Sequence, residues 1–335
     1  MSGPAIRVHE LFKRYPGRDK PVYAVNGLSL EVPRGECFGL LGPNGAGKTT
    51  TIEILEGLTP PTSGEVEVLG KSWDRDEDTI RQAIGVTLQE TRFPEKSTVR
   101  EMATLFRSFY RRGLDPMDAL KRVALESKAN AFVETLSGGQ QRRLAVAIAL
   151  VGDPELLFLD EPTTGLDPQS RRQLWDVIKD LQGQGRTIIL TTHYMDEAER
   201  LCDRVAIVDQ GKIIALGSPG ELIARIGGEH IVEFGVVGDS QPECFGFENL
   251  PTVKACRNEA DGFALTVGEP HVAIPALLDR LAADGLTLAR LTTRQVSLED
   301  VFVMLTGRHL REEGDEAAAA EAARGRRRRG RRRAG

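Results

Sequence analysis

A glycine-rich segment, Gly42-Pro43-Asn44-Gly45-Ala46-Gly47-Lys48-Thr49, separates the apolar run Cys37 to Leu41 from Thr50 to Leu55, which favours a helix. It fits the pattern G-x-x-x-x-G-K-[ST] between a strand and a helix. Small residues allow a tight turn, so that N–H groups and the positive helix end can surround a chain of phosphates. Lys48 suits the β- and γ-phosphates, and the Thr49 hydroxyl suits Mg²⁺. The segment therefore predicts a nucleoside-triphosphate site.

Two other interpretations of this segment are weaker. A glycine turn that happens to end in Lys-Thr is one, because glycine-rich turns are common and the pattern is short. A Rossmann dinucleotide site fits less well, since the third glycine of G-x-G-x-x-G would fall on Thr50. The candidate nucleotide contacts are Gly42, Pro43, Asn44, Gly45, Ala46, Gly47, Lys48, Thr49 and Thr50.

The composition is that of an ordinary globular protein. The chain has 335 residues, of which 40% are hydrophobic and 28% are charged, so it can form one large or two modest domains. The longest uncharged apolar stretch, around Leu144 to Val151, is far shorter than the roughly 20 residues that cross a bilayer. No signal-peptide pattern is visible at the N-terminus. We therefore expect a cytoplasmic protein.

The four cysteines, Cys37, Cys202, Cys244 and Cys256, are widely scattered and form no C-x-x-C pair. This spacing argues against both a zinc site and a disulfide framework, so we expect four reduced thiols. The formal net charge is −5, but arginines crowd into Arg324 to Arg333. The body of the chain is therefore acidic and its C-terminal tail is basic.

Two carboxylates end a predicted central strand. The apolar run Leu156 to Leu159 leads directly into Asp160 and Glu161, as expected of a parallel strand whose tip opens on a ligand crevice. Asp160 can hold Mg²⁺, directly or through a water, and Glu161 can accept a proton from an attacking water. Simple strand termination before Pro162 is the weaker alternative.

Three more candidate residues stand at strand ends. Gln89 follows the predicted strand Ile84 to Leu88, and His193 follows the predicted strand Thr187 to Thr192. Tyr15 lies just before a loop. A lone strand-end glutamine or histidine is more often structural, but His193 shares its sheet edge with Asp160 and Glu161, which favours a functional role. Tyr15 can stack on an adenine or pack against the sheet, and its position alone does not decide between these.

The segment Leu136-Ser137-Gly138-Gly139-Gln140 precedes the helical stretch Gln141 to Leu150. The Ser-Gly-Gly therefore lies at a helix N-terminus, where N–H groups and the helix dipole can form a second anion site. The alternative is an N-cap with a flexible lead-in. Its position between two nucleotide motifs favours the anion site.

Taken together and in this order, these motifs resemble the ATP-binding subunit of an ABC transporter over about Ile6 to Ile226. The corresponding motifs are Walker A at Gly42 to Thr49, the Q-loop at Gln89, the signature at Leu136 to Gln140, Walker B at Leu156 to Asp160 with Glu161, the D-loop at Gly165 to Asp167, and the H-loop at His193. The resemblance implies ATP and Mg²⁺ as cofactors.

The resemblance also implies a role for each candidate. Glu161 becomes the general base, His193 the γ-phosphate contact, Tyr15 the adenine-stacking residue, and Gln89 a ligand of Mg²⁺ and water. By the same resemblance, Asp167 of the D-loop becomes a catalytic contact, and Thr49, Gln89 and Asp160 bind Mg²⁺. The residues that contact the nucleotide in the signature are Ser137, Gly138, Gly139 and Gln140.

Each motif occurs once, and in this family the phosphate loop of one protomer meets the Ser-Gly-Gly of the other. The resemblance therefore implies a homodimer, joined to an integral membrane permease on a separate polypeptide, so that the chain would be peripheral on the cytoplasmic face of the cell membrane. Two stretches, Thr192 to Glu199 and Val296 to Phe302, resemble drug- and antibiotic-export subunits. This favours an exporter of a drug, antibiotic or other small amphiphile.

The expected architecture is an α/β P-loop ATPase domain over residues 1–226, with an antiparallel β subdomain and a helical subdomain that carries the signature. A small α+β accessory domain follows at residues 227–311, with strands at Ile231 to Phe234, Phe263 to Val267 and Leu286 to Arg290. Residues 312–335, acidic and then rich in alanine and arginine, have a composition that cannot build a core, so we expect a disordered tail there.

The arginines of the tail, Arg324 to Arg333, have three interpretations: a solvated tail, a contact with anionic lipid headgroups, and, least favoured, a contact with nucleic acid. The last would suit a different class, a soluble ABC ATPase acting on ribosomes or DNA. Ribosome-type members carry two ATPase modules and DNA-repair types insert long heptad coiled coils, and this sequence has neither.

Overall fold

The computed structural model describes residues 3–17, 20–87, 93–94, 96–226, 229–237, 244–259 and 262–306. Its strands are β1 (Ile6–Tyr15), β2 (Val22–Val32), β3 (Cys37–Leu41), β4 (Ser63–Val68), β5 (Ile84–Thr87), β6 (Leu156–Asp160), β7 (Thr187–Thr192), β8 (Arg204–Asp209), β9 (Lys212–Gly217), β10 (His230–Val236), β11 (Val253–Glu259), β12 (Gly262–Val267) and β13 (Leu288–Gln295). Its α-helices are α1 (Lys48–Leu55), α2 (Trp73–Ala83), α3 (Val99–Arg107), α4 (Pro116–Arg122), α5 (Gly138–Leu150), α6 (Pro168–Gly183), α7 (Met195–Leu201), α8 (Pro219–Ala224), α9 (Pro270–Ala283) and α10 (Leu298–Thr306). Across these ranges, none of the helices has both the length and the apolar character that a membrane span requires.

The chain divides into two compact units, one running to Pro219 and the other from Gly220 to Arg308. The first contains a six-stranded sheet in the order β5-β6-β7-β3-β8-β9. All neighbouring pairs are parallel except β8 and β9. Strands β3, β6 and β7 are buried on both faces, and β3 and β6 are almost continuously apolar, as expected of central parallel strands, whereas β7 has threonines at both ends.

A second, antiparallel sheet in the order β2-β1-β4 belongs to the same unit. Its apolar residues share one core with the central sheet, in which Ile6, Leu28, Phe38 and Phe158 are fully or almost fully buried. A group of helices, α3, α4 and α5, follows β5 and leads back into β6. The expected α/β fold with an antiparallel subdomain and a helical subdomain is confirmed.

The second unit is an antiparallel sheet in the order β11-β12-β10-β13, with helices α9 and α10. Phe234, Phe247 and Phe263 form an aromatic cluster in its core. The sequence placed β10 and β12 correctly, missed β11, and started β13 too early. Strand β11 is an edge strand with a largely polar sequence, VKACRNE, and edge strands need no regular apolar alternation.

Asp300 anchors α10 to this sheet. Its carboxylate is almost completely buried and accepts hydrogen bonds from Arg294 at 2.6 and 2.9 Å, from Arg257 at 2.7 Å and from the Ser297 N–H at 2.9 Å. Burial alone would raise the pKa of Asp300, but the two arginines outweigh it and lower the pKa. Removing one partner of such a buried group costs more than the pair contributes, because the other charge stays buried.

The expectation of four reduced cysteines is wrong for two of them. Cys244 and Cys256 form a disulfide with a Cα–Cα distance of 5.7 Å, whereas Cys37 and Cys202 are free and buried. The turn between the two bonded cysteines packs Phe247 into the aromatic core and returns the chain into β11. Spacing alone could not reveal this contact, because it depends on a strand that the sequence did not indicate.

Candidate nucleotide site

The carboxyl ends of the parallel strands bring the motifs together. In the central sheet Leu41 lies beside Thr192, and Asp160 lies beside Thr191. The glycine-rich loop follows Leu41, Glu161 follows Asp160, and His193 follows Thr192. Parallel strands that end at one edge open a crevice there, which is where open α/β sheets bind ligands. Gln89, predicted for the same edge, lies outside the described residues.

The glycine-rich loop turns tightly into α1. Gly47 precedes the helix with φ +102°, and its carbonyl accepts bonds from the Thr51 N–H at 2.9 Å and the Thr51 hydroxyl at 2.8 Å. A Cβ at Gly47 would lie 2.1 Å from the Ala24 carbonyl oxygen. Asn44, Gly45 and Thr49 are exposed. The loop therefore needs a glycine at residue 47 for two reasons, its left-handed backbone and its close approach to β2.

Lys48 is buried at the base of this loop, only 6% exposed. Its ammonium donates to the Gly42 carbonyl at 2.7 Å and to the Pro43 carbonyl at 3.1 Å. Desolvation lowers the pKa of Lys48, while the negative charges of Glu161 and Asp160 raise it in opposition. The lysine is thus a cation held inside the loop, in the field of both strand-end carboxylates.

Asp160 ends β6, and its Oδ1 accepts a hydrogen bond from the Thr191 hydroxyl of the neighbouring strand. Burial is the main reason that the pKa of Asp160 is raised, and the charge of Glu161 adds to it. Lys48 and Arg142 act in the opposite direction. Asp160 is therefore a partly buried carboxyl group whose ionised form additional positive charge would favour.

Glu161 adopts an unusual backbone conformation for a residue with a side chain, with φ +44°. Its N–H donates to the Thr191 carbonyl at 3.1 Å and to the Thr191 hydroxyl at 2.9 Å. Its Oε1 lies 3.3 Å from His193 Nδ1, and its Oε2 accepts from Thr164 at 3.1 Å. The hydrogen bond from His193 is the main reason that the pKa of Glu161 is lowered, so the side chain is a carboxylate at neutral pH.

Arg142 of α5 reaches the turn after β6. Its guanidinium donates to three successive carbonyls, at 2.9 Å to Asp160, at 2.8 Å to Pro162, and to Glu161 between them. Burial lowers the pKa of Arg142, and nearby Asp160 and Glu161 oppose that shift. The arginine thus joins the helical subdomain to the end of β6.

Ser137 is the N-cap of α5, as the alternative interpretation of that segment held. Its hydroxyl accepts from the Gln140 N–H at 3.3 Å, and the Gln140 side chain accepts from the Ser137 N–H at 3.0 Å. Ser137 and Gly138 are exposed, and Gly138 has open space beside it. A capped helix start and an exposed anion-binding surface are therefore compatible here.

Asp167 and Tyr15 lie at exposed positions. Asp167 is the N-cap of α6, and its carboxylate accepts from the Gln169 and Ser170 N–H groups, both at 3.0 Å, and from the Ser170 hydroxyl at 2.6 Å. The ring of Tyr15 is 37% exposed at the end of β1, with the Lys13 ammonium 5.1 Å from its centroid.

Three residues of this region were not found from the sequence: Thr191, Arg142 and Glu56. Thr191 looks like one more small residue of a buried strand, and only its neighbour in the sheet reveals its role. Glu56 follows α1 and is 4% exposed, with its Oε1 unpartnered among the described residues. Desolvation, and then the charges of Asp160 and Glu53, raise the pKa of Glu56 to about 8. A glutamate directly after an apolar helix face was the available signal.

A glycine-rich phosphate loop, a buried lysine and strand-end carboxylates at one sheet edge define a P-loop nucleotide hydrolase. The ABC transporter family model matches residues 25–164. The Nod factor export ATP-binding protein I of Ralstonia nicotianae is 41% identical over 320 residues, which cover 93% of this chain and 96% of that protein. Its namesake in Rhizobium meliloti is 41% identical over 313 residues, which cover 92% and 90%. The chain belongs to the ABC transporter family, as an ATP-binding subunit and an ATPase.

Solved structures show the same fold. An ATP-binding cassette, solved as a dimer in a post-hydrolysis state with ADP and Pi bound, aligns with a TM-score of 0.58 at 27% identity, covering 64% of this chain and 98% of that one. A protein of Clostridium perfringens that is part of the ABC transporter complex cbiONQ aligns with a TM-score of 0.59 at 31% identity, covering 66% and 91%.

We expect Gly47→Ala to destabilise the chain far more than Gly45→Ala. Both glycines have positive φ, +102° and +81°, but only at Gly47 would the new methyl group collide with backbone. Left-handed strain alone costs about 1–2 kcal/mol, and the additional collision should bring the loss at Gly47 above about 3 kcal/mol. Urea unfolding without nucleotide measures both losses. Equal losses at the two positions would contradict the role of the Ala24 carbonyl.

We also expect Glu56→Gln to stabilise the chain at pH 8 but hardly at pH 5. Between about pH 4.5 and pH 8 the folded chain keeps a proton on Glu56 that the unfolded chain releases, so the free energy of unfolding falls as the pH rises. The amide removes that dependence and should gain a few kcal/mol at pH 8. Thermal unfolding across this range measures it, with the exposed Glu65→Gln as control. A gain that does not grow with pH would contradict the raised pKa.

Proposed function

We propose that two copies of this chain bind ATP between them and drive export through a separate membrane permease. The observation that carries the dimer is the exposed start of α5, where Ser137 and Gly138 both lie at the surface and open space adjoins Gly138. One chain has one phosphate loop and one signature, so two chains placed head to tail would complete two sites. The dimeric cassette solved with ADP and Pi supports this arrangement.

The first chemical step is proton transfer to Glu161. A water attacks the γ-phosphate, its proton passes to the Glu161 carboxylate, and phosphate leaves ADP. His193 and Thr164 fix the two oxygens of that carboxylate, and the lowered pKa keeps it ionised at neutral pH. General-base catalysis of this kind contributes about 10²- to 10⁴-fold.

Mg²⁺ fits the residues at this edge. Asp160 is a partly buried carboxyl group at the end of β6, and Thr49 presents an exposed hydroxyl at the start of α1. Among the described residues, no group of three or more His, Cys, Asp and Glu side chains could hold a metal by itself. This suits Mg²⁺, which usually takes one or two protein ligands together with phosphates. Asp160, Thr49 and Gln89 would hold it, and it would neutralise phosphate charge.

The remaining candidates complete the bound nucleotide. The residues from Gly42 to Thr50, with the backbone N–H groups of all but Pro43, and the Lys48 ammonium would contact the phosphates. Tyr15 would stack on the adenine. Ser137, Gly138, Gly139 and Gln140 would contact the nucleotide held by the partner chain and stabilise charge that develops in the transition state. Asp167, which caps α6 at an exposed position, would lie near the same junction.

Export rests on the relatives and on resemblance. The relatives at 41% identity are named for Nod factor export, and two stretches resemble drug- and antibiotic-export subunits. We propose a small amphiphile as the exported substrate, with drugs and antibiotics within that class. Affinity purification from membranes, followed by identification of the copurified integral membrane protein, tests the assignment. Recovery with ribosomes instead would overturn it.

We expect Glu161→Gln to bind ATP with near-normal affinity, to accumulate as a dimer, and to hydrolyse ATP about 10²- to 10⁴-fold more slowly. The amide keeps the shape of the side chain but cannot accept the proton. Light scattering with ATP measures the dimer, and phosphate release measures turnover. Glu155→Gln, an exposed glutamate just before the opposite end of β6, is the control and should remain active. Near-normal turnover of Glu161→Gln would remove Glu161 from this role.

We further propose that the arginines of the tail, Arg324 to Arg333, bind anionic lipid. Each basic residue near such a surface contributes about 1 kcal/mol, and salt screens the attraction. The full chain should bind phosphatidylglycerol vesicles in low salt, and a chain whose arginines in this stretch are replaced by serine should bind them far more weakly. Phosphatidylcholine vesicles are the control. Equal binding by both chains leaves a solvated tail, and preferential binding of RNA would indicate nucleic acid.

A further inference from the structure

The backbone of Glu161 has a positive φ, a conformation that residues other than glycine do not favour. A positive φ costs a non-glycine residue about 1–2 kcal/mol, so neighbouring groups must hold the turn in place. The Thr164 N–H donates to the Glu161 carbonyl at 3.3 Å within the turn, and two groups from outside the turn also contact it. From the sheet side, Thr191 accepts the Glu161 N–H. From the helical subdomain, the Arg142 guanidinium binds the carbonyls of Asp160, Glu161 and Pro162.

The arginine contact is specific in its geometry. The planar guanidinium offers several N–H donors in a fixed fork, and three successive carbonyls can satisfy that fork only when the turn has one shape. A lysine ammonium is a single centre and cannot define the orientation of three carbonyls in the same way. The bonds go to backbone atoms, so they fix where the turn lies without occupying the Glu161 carboxylate.

We propose that Arg142 is a positioning residue for Glu161: it holds the turn after β6 so that the carboxylate meets the attacking water. This rests on the proposed role of Glu161 as general base. The bonds of Arg142 to the three carbonyls hold the turn, and its charge also acts on Asp160. A misplacement of a reacting group by about 1 Å can cost 10²-fold in rate, which sets the size of the expected effect.

Arg142 lies on α5, so its contact with the turn also connects that turn to the start of this helix. The same helix begins at Ser137 and Gly138, the residues proposed to meet the partner's nucleotide. About one and a half helical turns separate Ser137 from Arg142, and α5 is continuous over that length. The placement of Glu161 at one nucleotide is therefore coupled, through Arg142 and α5, to the contact of the signature segment with the nucleotide held by the partner chain.

Arg142→Ala should lower kcat about 100-fold and leave the ATP dissociation constant within about threefold, since Lys48 and the glycine-rich loop are unchanged. Arg142→Lys should recover only a small part of the rate. Arg143→Ala is the matched control. Arg143 is the next residue on the same helix, but it donates to the Val123 and Ala124 carbonyls at 3.2 and 3.3 Å, away from the turn. It should lose stability without a comparable loss of kcat.

Two further measurements separate positioning from a loss of folding. Millimolar guanidinium should restore part of the kcat of Arg142→Ala and should not affect Arg143→Ala. In single-turnover assays, Arg142→Ala combined with Glu161→Gln should hydrolyse ATP no more slowly than Glu161→Gln alone, because residues that act as a unit are not additive. A further 100-fold loss in the double variant would overturn the proposal.

The outcomes also distinguish this inference from the proposed function. If Glu161→Gln is slow while Arg142→Ala turns over at a near-normal rate, the positioning role fails and the general base stands. If Glu161→Gln itself turns over normally, the proposed function fails first. If Arg142→Ala weakens ATP binding as much as it lowers kcat, the arginine supports the fold of the subunit and not the placement of Glu161.

Discussion

The parallel pairing of β3, β6 and β7 is the constraint on which the rest of the site depends. With Leu41 beside Thr192 and Asp160 beside Thr191, three motifs far apart in sequence end at one level of the sheet. A slip of one residue would turn Asp160 to the opposite face of β6 and would remove the Thr191 hydroxyl from its carboxylate. The hydrogen-bond ladder of the parallel pairs and the close packing of their buried side chains hold that register, so the core sets the geometry of the charged edge.

Oppositely charged side chains lie close together at this edge, and burial keeps most of them from being well solvated. Burial lowers the pKa of Lys48 and of Arg142 and raises that of Asp160, and each of these groups opposes the shift of another. For Glu56, burial and the charges of Asp160 and Glu53 act in the same direction and raise the pKa to about 8. The site therefore contains two kinds of carboxyl group, those balanced by neighbouring cations and one that is neutral.

Much of this arrangement could be predicted from the sequence, since the phosphate loop, the strand-end carboxylates and the start of α5 are local patterns. The hydrogen bonds that orient these segments could not be predicted from the sequence. Thr191 reads as one more residue of a buried strand, and Arg142 as one of two adjacent helix arginines, until the sheet and helix are assembled. In the second unit, β11 and the disulfide were missed together, because an edge strand of polar residues carries no periodic signal and Cys256 lies on it.

The state of the cysteines has a practical consequence for spectroscopy. Of the four in the sequence, all in the described part of the chain, Cys244 and Cys256 are bonded to each other and Cys37 and Cys202 are buried. A maleimide dye would find no exposed native thiol while that bond is closed. A single cysteine introduced at an exposed position could therefore carry a fluorophore in the otherwise unaltered chain, which would allow subunit association to be followed by energy transfer.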